Sequence, residues 1–562
     1  VDVALRAALF RRRLFPQHQF SRKRGLARTN IKRFFPRMIT VFCHANAIGT
    51  GNQMRHAERE FRAHQFLIQK NVRVARFSVD EQNAGLHHAS AARYAVAGCV
   101  QQRERACCGK ENHKDDKNDV SSARGHVAKW LMVVYTTVRI SMAQFRITGQ
   151  QPIRGTIAVD GAKNHALKVI AASLLSKEEM LISRMPNIGD VRLLLDILEA
   201  MGAKVRADLV KQTAAIDTST VKHGMMPTEL VRGIRASAVL MGPLLARFGE
   251  VTISHPGGCV LGRRPIDIFL DGFRAMGAKV RETGDTTHCT AKRLRGGRIF
   301  MPQVSVTATE TLMMAAVLAE GTTVLENAAC EPEIPELAAY LNRHGAKIRG
   351  AGTPSIRIDG VKKIGAGACA IMPDRLETGT FAILAAAARG NLRIEQCNPA
   401  YVGALWALFD RMGVPYTCGD DWVEVNASGK KPFTAVNLKT HEYPGFATDL
   451  QAPMTVLLTQ CRGLSMVHET IFEGRLFYVD KLNRMGANVI LCDPHRAIVQ
   501  GPTKLRGKSL ESPDIRAGMA LVIAALIARG ETVIDNIQQV ERGYANVAER
   551  LRSLGAQIER VG

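Results

Sequence analysis

Apolar residues along most of the chain follow two alternating patterns, and the alternation itself repeats. From Met142 onward, a segment with apolar residues at helical spacing ends six times in one phrase. The copies are Met201-Gly202-Ala203-Lys204-Val205, Met276-Gly277-Ala278-Lys279-Val280, His344-Gly345-Ala346-Lys347-Ile348, Met412-Gly413-Val414-Pro415, Met485-Gly486-Ala487-Asn488-Val489 and Leu554-Gly555-Ala556-Gln557-Ile558. Their glycines are 75, 68, 68, 73 and 69 residues apart. A glycine at that place predicts a helix C-cap in the left-handed region, and the apolar residue beyond it begins a strand. Before the first copy, Val191, Leu194, Leu195, Leu198 and Met201 form one apolar stripe behind Asp190, which fits an N-cap.

A second phrase interleaves with the first. Glu250-Val251-Thr252-Ile253, Gly321-Thr322-Thr323-Val324-Leu325, Gly390-Asn391-Leu392-Arg393-Ile394, Gly463-Leu464-Ser465-Met466-Val467 and Gly530-Glu531-Thr532-Val533-Ile534 each follow an alanine- or leucine-rich run, with a weaker copy at Glu178-Glu179-Met180-Leu181-Ile182. Each unit therefore reads strand, helix, strand, helix and further strand. Its period exceeds the roughly 50 residues of the common solenoids. The pattern predicts an α/β protein whose six units fall into two domains of three, with the break near Pro373-Asp374-Arg375.

Residues 1–141 lack this pattern. They hold 26 Lys and Arg against 10 Asp and Glu, which leaves +9 of the formal +25 for the remaining three quarters of the chain. The segment is consistent with a basic nucleic-acid-binding arm or an organelle-targeting extension. The preferred reading is a segment that is not a native domain, translated from a start placed ahead of a true one at Met142. The Cys107-Cys108 and His113 group lacks a second ligand pair at a metal-binding spacing. Twelve cysteines without a CxxC pair argue for free thiols in a reducing compartment. The longest apolar run, 130–138, is shorter than the roughly 18 residues of a membrane span.

Several stretches break the repeat. Residues 255–267 place Cys259 in a glycine- and proline-rich turn with Arg263, Arg264 and Asp267, either a structural turn with an incidental cysteine or a reactive thiol whose nearby cations favour a thiolate. Gly161-Ala162-Lys163-Asn164 puts an ammonium and an amide at a helix start, a place suited to phosphate. Arg235 opens an apolar helix against its dipole. Residues 443–449 end a turn in Asp449, either an N-cap or a functional carboxylate. Asp514-Ile515-Arg516 and Glu541-Arg542-Gly543-Tyr544 set two more arginines at element edges, where surface ion pairs are equally plausible.

Taken together, GAKN at 161–164, PGGC…GRRPID at 256–267, VSVTATE at 304–310, YPGFATD at 443–449, DIRAG at 514–518 and ERGY at 541–544 resemble the UDP-N-acetylglucosamine 1-carboxyvinyltransferase family of enolpyruvyl transferases. The resemblance runs from Met142 to the C-terminus. It implies two inverse α/β barrels, each of three βαβαββ units. One would combine 142–162 with 374–562, and the other, 163–373, would carry the Cys259 loop as a lid over the cleft between them. It implies transfer of the enolpyruvyl group of phosphoenolpyruvate to the 3′-hydroxyl of UDP-N-acetylglucosamine, by addition and elimination with release of phosphate. This is the first committed step of peptidoglycan synthesis.

By the same resemblance, Cys259 matches the proton donor to C3 of phosphoenolpyruvate and Asp449 the base at the hydroxyl. Lys163, Arg264 and Arg542 match the cations around phosphoenolpyruvate, with Arg235 and Arg516 close by. Asn164, Arg264, Pro265, Ile266, Asp267, Ile268, Gln303, Val304, Ser305, Val306, Asp449 and Ile471 match nucleotide-sugar contacts, and Arg475 matches a substrate-binding position. The implied partners are these two small molecules rather than nucleic acid or membrane. No metal or organic cofactor is implied, and the compartment is the cytoplasm. Gln303 and Thr307 depart from the lysine and glycine of some members, and His165 is uncommon and has no assigned role. The shikimate-pathway enolpyruvyl transferases are the nearest alternative, but they lack a counterpart of the cysteine loop. A nucleic-acid-binding protein acting through the basic segment, or a regulatory paralogue, would be a different class.

Overall fold

The computed structural model describes residues 143–254, 257, 266–429 and 431–562. The basic segment, Cys107, Cys108 and His113 lie outside the described residues, as do Cys259, Arg264 and Pro265.

All six phrase glycines adopt positive φ, from 74° at Gly413 to 105° at Gly345, and each separates a helix from a strand. These helices are Gly189–Ala200, Asp267–Ala275, Glu333–Arg343, Gly403–Met412, Val479–Arg484 and Val547–Ser553. They are amphipathic: in Gly189–Ala200 the stripe Val191, Leu194, Leu195, Ile197 and Leu198 is buried and the other face is wet. The runs before the second phrase form a different kind of helix. Lys163–Ala172, Met241–Phe248, Val306–Val317, Arg375–Ala387, Gln451–Leu458 and Ile515–Ile527 are apolar or small on nearly every face, and Arg375–Ala387 is buried at every position. Helices of that composition must lie inside, and they pack on one another in the interior. Gly242 shows how closely. A Cβ there would stand 2.1 Å from the carbonyl oxygen of Thr311 on the neighbouring helix.

The strands pair in small mixed sheets. There are six among the described residues, five of four strands and one of three. In every one the second-phrase strand pairs antiparallel on one side and parallel on the other. Thr322–Glu326, for example, lies antiparallel to Ser355–Asp359 and parallel to Arg298–Phe300. In the three-stranded sheet the parallel partner is reduced to one bridge, Met225 to Thr252. Central strands such as Ser355–Asp359 and Asn391–Glu395 alternate buried and more exposed positions, as expected of sheets with one wet face.

Two hydrophobic cores result. One gathers residues from 143–159 and 376–558, the other residues from 166–371 together with Ala545. The chain passes between them twice, side by side. Ala162 N donates to Met372 O (2.7 Å), and Asp374 N donates to Asp160 O (3.0 Å). Because of this double crossing, Arg154–Ala158 pairs with Asn391–Glu395, while Ala368–Ala370 pairs with Met180–Ser183. Gln144–Thr148 sits between Glu531–Asp535 and Gln557–Val561, bonded to both. The first described strand thus takes the place that a hairpin strand fills in the other sheets.

One local expectation is corrected. Asp190 does not cap its helix. The helix begins at Gly189 with Ile188 at the N-cap and no side-chain cap bond. The Asp190 carboxylate is engaged elsewhere, as described below. The seven described cysteines are all unpaired thiols. No described helix is long and apolar enough to cross a membrane.

Candidate active site

The crossing places Lys163 at the start of an inner helix, with Asp374 capping another directly beside it. Asp374 accepts from Leu376 N (2.8 Å) and Glu377 N (3.2 Å), and Lys163 N donates to its other oxygen at 3.4 Å. Burial pushes the Asp374 carboxyl up to about 6 against the pull of Arg516. Lys163 is itself buried, and Nζ meets Asp190 Oδ2 at 2.7 Å. Arg542 Nε donates to Asp190 Oδ1, also at 2.7 Å. One buried carboxylate therefore holds two cations, and one of the ion pairs crosses from core to core. Burial lowers the Lys163 pKa, Asp190 works against that, and Arg516 and Arg542 add to the lowering. For Asp190, burial works upward, but Lys163 and Arg542 hold its carboxyl below the usual value.

Asp449 occupies a short turn, Thr448–Leu450, ahead of the inner helix Gln451–Leu458. It forms no side-chain cap bond, so the N-cap alternative is excluded. Arg516 donates from Nε to Asp449 Oδ1 (2.9 Å), and Arg475 Nη2 lies 3.9 Å from the same atom. Burial would raise the Asp449 carboxyl, but Arg516 and then Arg475 hold it far below the ordinary carboxylate range. Both arginines are buried, so a surface ion pair does not describe Arg516. Asp514 caps the Arg516 helix by accepting from Arg516 N and Ala517 N, and the guanidinium stands 5.2 Å over the Tyr544 ring. Fully buried Glu469 fixes the other side. It accepts from Thr448 Oγ1 (2.8 Å) and from the backbone of Ile471 (2.9 Å) and Phe472 (3.2 Å). Nε and Nη1 of Arg475 and Nη1 of Arg516 are buried without a hydrogen-bond partner among the described residues. Unsatisfied guanidinium nitrogens are costly, and they are the donors that an anion would take up.

The remaining candidates sit around this centre in different ways. Asn164 is half-buried in the first turn after Lys163. Arg235 opens the turn Arg235–Leu240, half-buried. A Cβ on Gly257 would stand 2.2 Å from the carbonyl oxygen of Arg232, which caps the short helix Thr228–Val231 just ahead of that turn. Ile266 and Ile268 bury their side chains in the second core, which leaves only their backbone for a ligand, while Asp267 is exposed. Ser305 caps Val306–Val317 by accepting from Ala308 N (3.3 Å). Gln303 is exposed in front of that helix, and Val304 and Val306 pack on the second core.

The fold thus sets Lys163 and Arg542 on Asp190 and sets Arg516 and Arg475 on Asp449, with Asp374 facing both Lys163 N and Arg516; the sequence had not read Asp190 or Asp374 as site residues. The fold adds Arg375, buried and paired with Glu333 (3.1 Å) beneath the Tyr443 ring. Asp190 carried a visible signal, an acid at a helix start, but that signal also describes a cap.

The family model for EPSP synthase (3-phosphoshikimate 1-carboxyvinyltransferase) matches residues 147–551. The UDP-N-acetylglucosamine 1-carboxyvinyltransferase of Shewanella woodyi is 43% identical over 422 residues, 75% of this chain and 100% of that protein. The Coxiella burnetii protein of the same name is 40% identical, over 75% of this chain and 96% of that one. Among solved structures, the enolpyruvyl transferase NikO from Streptomyces tendae superimposes with a TM-score of 0.67 at 25% identity, covering 75% of this chain and 99% of that chain. An EPSP synthase from Acinetobacter baumannii gives 0.58 at 18% identity over 75% of this chain and 100% of that one, a likeness of fold.

Proposed function

Since the chain belongs to the enolpyruvyl transferase family, we propose that it moves the enolpyruvyl group of phosphoenolpyruvate to the 3′-hydroxyl of UDP-N-acetylglucosamine and releases phosphate. This is the first step of peptidoglycan synthesis. The observation that carries the site is a group of clustered cations: among the described residues buried Arg475 and Arg516 keep nitrogens without a hydrogen-bond partner beside Asp449, and Lys163 and Arg542 share one carboxylate. Such a centre suits a compact polyanion with a hydroxyl acceptor alongside.

In the mechanism, the 3′-oxygen bonds to C2 of phosphoenolpyruvate while C3 gains a proton, giving a tetrahedral intermediate. C3 then loses a proton, the C2–O bond to phosphate breaks, and the vinyl ether remains. Asp449, ionised at neutral pH between two arginines, accepts the hydroxyl proton as the new bond forms. Lys163, Arg542 and Arg264 hold the phosphate, and Cys259 supplies the proton to C3. Asn164, the 303–306 helix start, Ile471 and the backbone of 265–268 hold the nucleotide sugar, with Arg235 and Arg516 beside the phosphoenolpyruvate cations and Arg475 a further substrate contact. The finer fold assigned to this reading is two inverse α/β barrels of three units each, 142–162 with 374–562 and 163–373, in a cytoplasmic enzyme. Similarity to proteins named for UDP-N-acetylglucosamine favours that acceptor over shikimate 3-phosphate.

The test is phosphate release from phosphoenolpyruvate by the full chain. Release that depends on UDP-N-acetylglucosamine and ignores shikimate 3-phosphate is expected. The reverse dependence, or no release with either, overturns the reading.

A further inference from the structure

Behind the site lies a cluster of buried charge that the mechanism leaves unused. Lys168, in the middle of the inner helix Lys163–Ala172, meets Glu310 of the inner helix Val306–Val317 at 3.1 Å. Glu310 is fully buried and Lys168 nearly so. Both sit where their helices are otherwise apolar or small, so each charge depends on the other. The two helices matter because of their first turns. One begins with Lys163 and Asn164, and the other begins just behind Ser305. Together these turns supply two sides of the proposed nucleotide-sugar contact.

The pairing is incomplete. Among the described residues neither Glu310 oxygen has an aligned hydrogen-bond donor, and Glu331 Oε2 also lacks one. The groups that face the cluster are His165 and Lys168 from the first helix, Glu331 and Glu333 from the start of Glu333–Arg343, Arg343 at its far end, and Arg375, which bonds Glu333. His165 accepts from Met372 N (3.2 Å), and burial pushes it down to about 4, so it is neutral near pH 7. At the centre, three carboxylates (Glu310, Glu331 and Glu333) face two close cations, Lys168 and Arg375. Burial, only partly opposed by Lys168, pushes Glu310 up to about 7, so this carboxyl changes charge near neutral pH.

We propose that Lys168 and Glu310 are a positioning pair: their ion pair holds the Lys163–Asn164 turn in register with the Ser305 turn, and it does so when Glu310 is ionised. The proposal rests on the nucleotide-sugar reading above. It deepens that reading by giving substrate affinity a pH-sensitive support outside the site. When Glu310 takes a proton, the tie weakens and the two turns move independently. Binding of UDP-N-acetylglucosamine suffers, while the proton transfers at Cys259 and Asp449 are untouched. The pair acts on KM rather than kcat, because it touches no reacting atom.

The experiment compares three full-length chains: wild type, Glu310→Gln, and the double variant Lys168→Met/Glu310→Leu. The double variant removes both charges and keeps the packing. In the wild type, KM for UDP-N-acetylglucosamine is expected to rise several-fold from about pH 8 to about pH 6. In Glu310→Gln it should be raised about tenfold at pH 8, with kcat within about twofold and little pH dependence. The double variant also lacks the tie, so its KM should be raised at pH 8 as well and show the same flat profile. A purely structural role would lower the melting temperature and leave the KM profile as it is, and that result overturns the proposal. So does a slope of KM with pH that survives in either variant. Should Glu310→Gln fail to fold, the double variant's profile against the wild type decides alone. A wild type inactive with UDP-N-acetylglucosamine would refute the functional reading instead, so the two failures are distinguishable.

Discussion

Replacing Asp190 by asparagine keeps the shape of the side chain and removes the charge that Lys163 and Arg542 share. In the folded protein both cations lie within 2.7 Å of the carboxylate, and Asp190 is buried. Breaking a buried ion pair by removing one partner costs roughly 3–5 kcal/mol. The amide oxygen can still accept from one cation, so the low end applies, about 3 kcal/mol. For a body of roughly 420 residues that corresponds to a fall of about 3–4 °C in Tm. The dependence on pH follows from the sign of the shift. The Asp190 carboxyl is held below its ordinary 3.8, so its contribution is complete above that value and is lost as pH falls through the folded value. The gap between wild type and variant should hold from pH 5 to 8, within about 1 kcal/mol, and close only in strong acid.

The variant also exposes Lys163 to the other terms acting on it. Burial, Arg516 and Arg542 already lower its pKa and Asp190 opposes them, so the variant's lysine should lose its proton sooner as pH rises. The alkaline limb of activity should move to lower pH. Inorganic phosphate at tens of millimolar (~20 mM) can supply the missing negative charge, and should raise the Tm of the variant more than that of the wild type. Differential scanning fluorimetry in phosphate and in chloride reads both effects. Equal Tm values at pH 7, or equal stabilisation by phosphate, would refute the idea that one carboxylate neutralises both cations.

Cys259→Asp is expected to retain turnover with a shifted pH optimum and to resist fosfomycin, the epoxide that alkylates the matching cysteine in the family. Cys259→Ser should lose both activity and alkylation, and a drug adduct mapped by mass spectrometry to another cysteine would contradict the assignment. A chain beginning at Met142 should fold and act alone. One beginning at Ile153 should be insoluble, because it lacks Phe145 and Ile147, worth roughly 3–6 kcal/mol of burial between them, and opens a sheet on both sides. Soluble expression and circular dichroism check this, and an ordered Ile153 chain would count against it. Gly242→Val forces a side chain against Thr311 O and should cost about 3 kcal/mol or more in chemical denaturation, whereas Gly403→Ala, where no atom lies within 4 Å of the added methyl, should be near neutral.

Much of the local architecture was legible in the chain because its causes are local. A glycine is needed where a helix ends at positive φ, and the six glycines from 202 to 555 all stand there. Composition separates helices that bury one stripe from helices that bury every face, so Gly189–Ala200 and Arg375–Ala387 could be told apart before any contact was known. The second phrase marks the strand around which each sheet pairs on both sides. Charge-bearing residues stood out where they interrupted these patterns, as Lys163, Asp449, Arg516 and Arg542 do.

What the sequence left open depends on which residues meet across long separations. Asp190 and Arg542 are 352 positions apart. At the level of pattern Asp190 was an ordinary helix-start acid, and only the double crossing at Gly161 and Pro373 brings Arg542 to it. The same crossing decides that Arg154–Ala158 joins the sheet of Asn391–Glu395 rather than that of Met180–Ser183. The state of a charge is decided at this level too. Lys168 and Glu310 look like solvated residues of two separate helices until both are found buried against each other. Periodicity and turn chemistry act over a few residues, so the sequence determines the elements and their wet and dry faces. The protonation and pairing of a buried group depend on the total field and solvent exclusion around it, and only the assembled chain defines those.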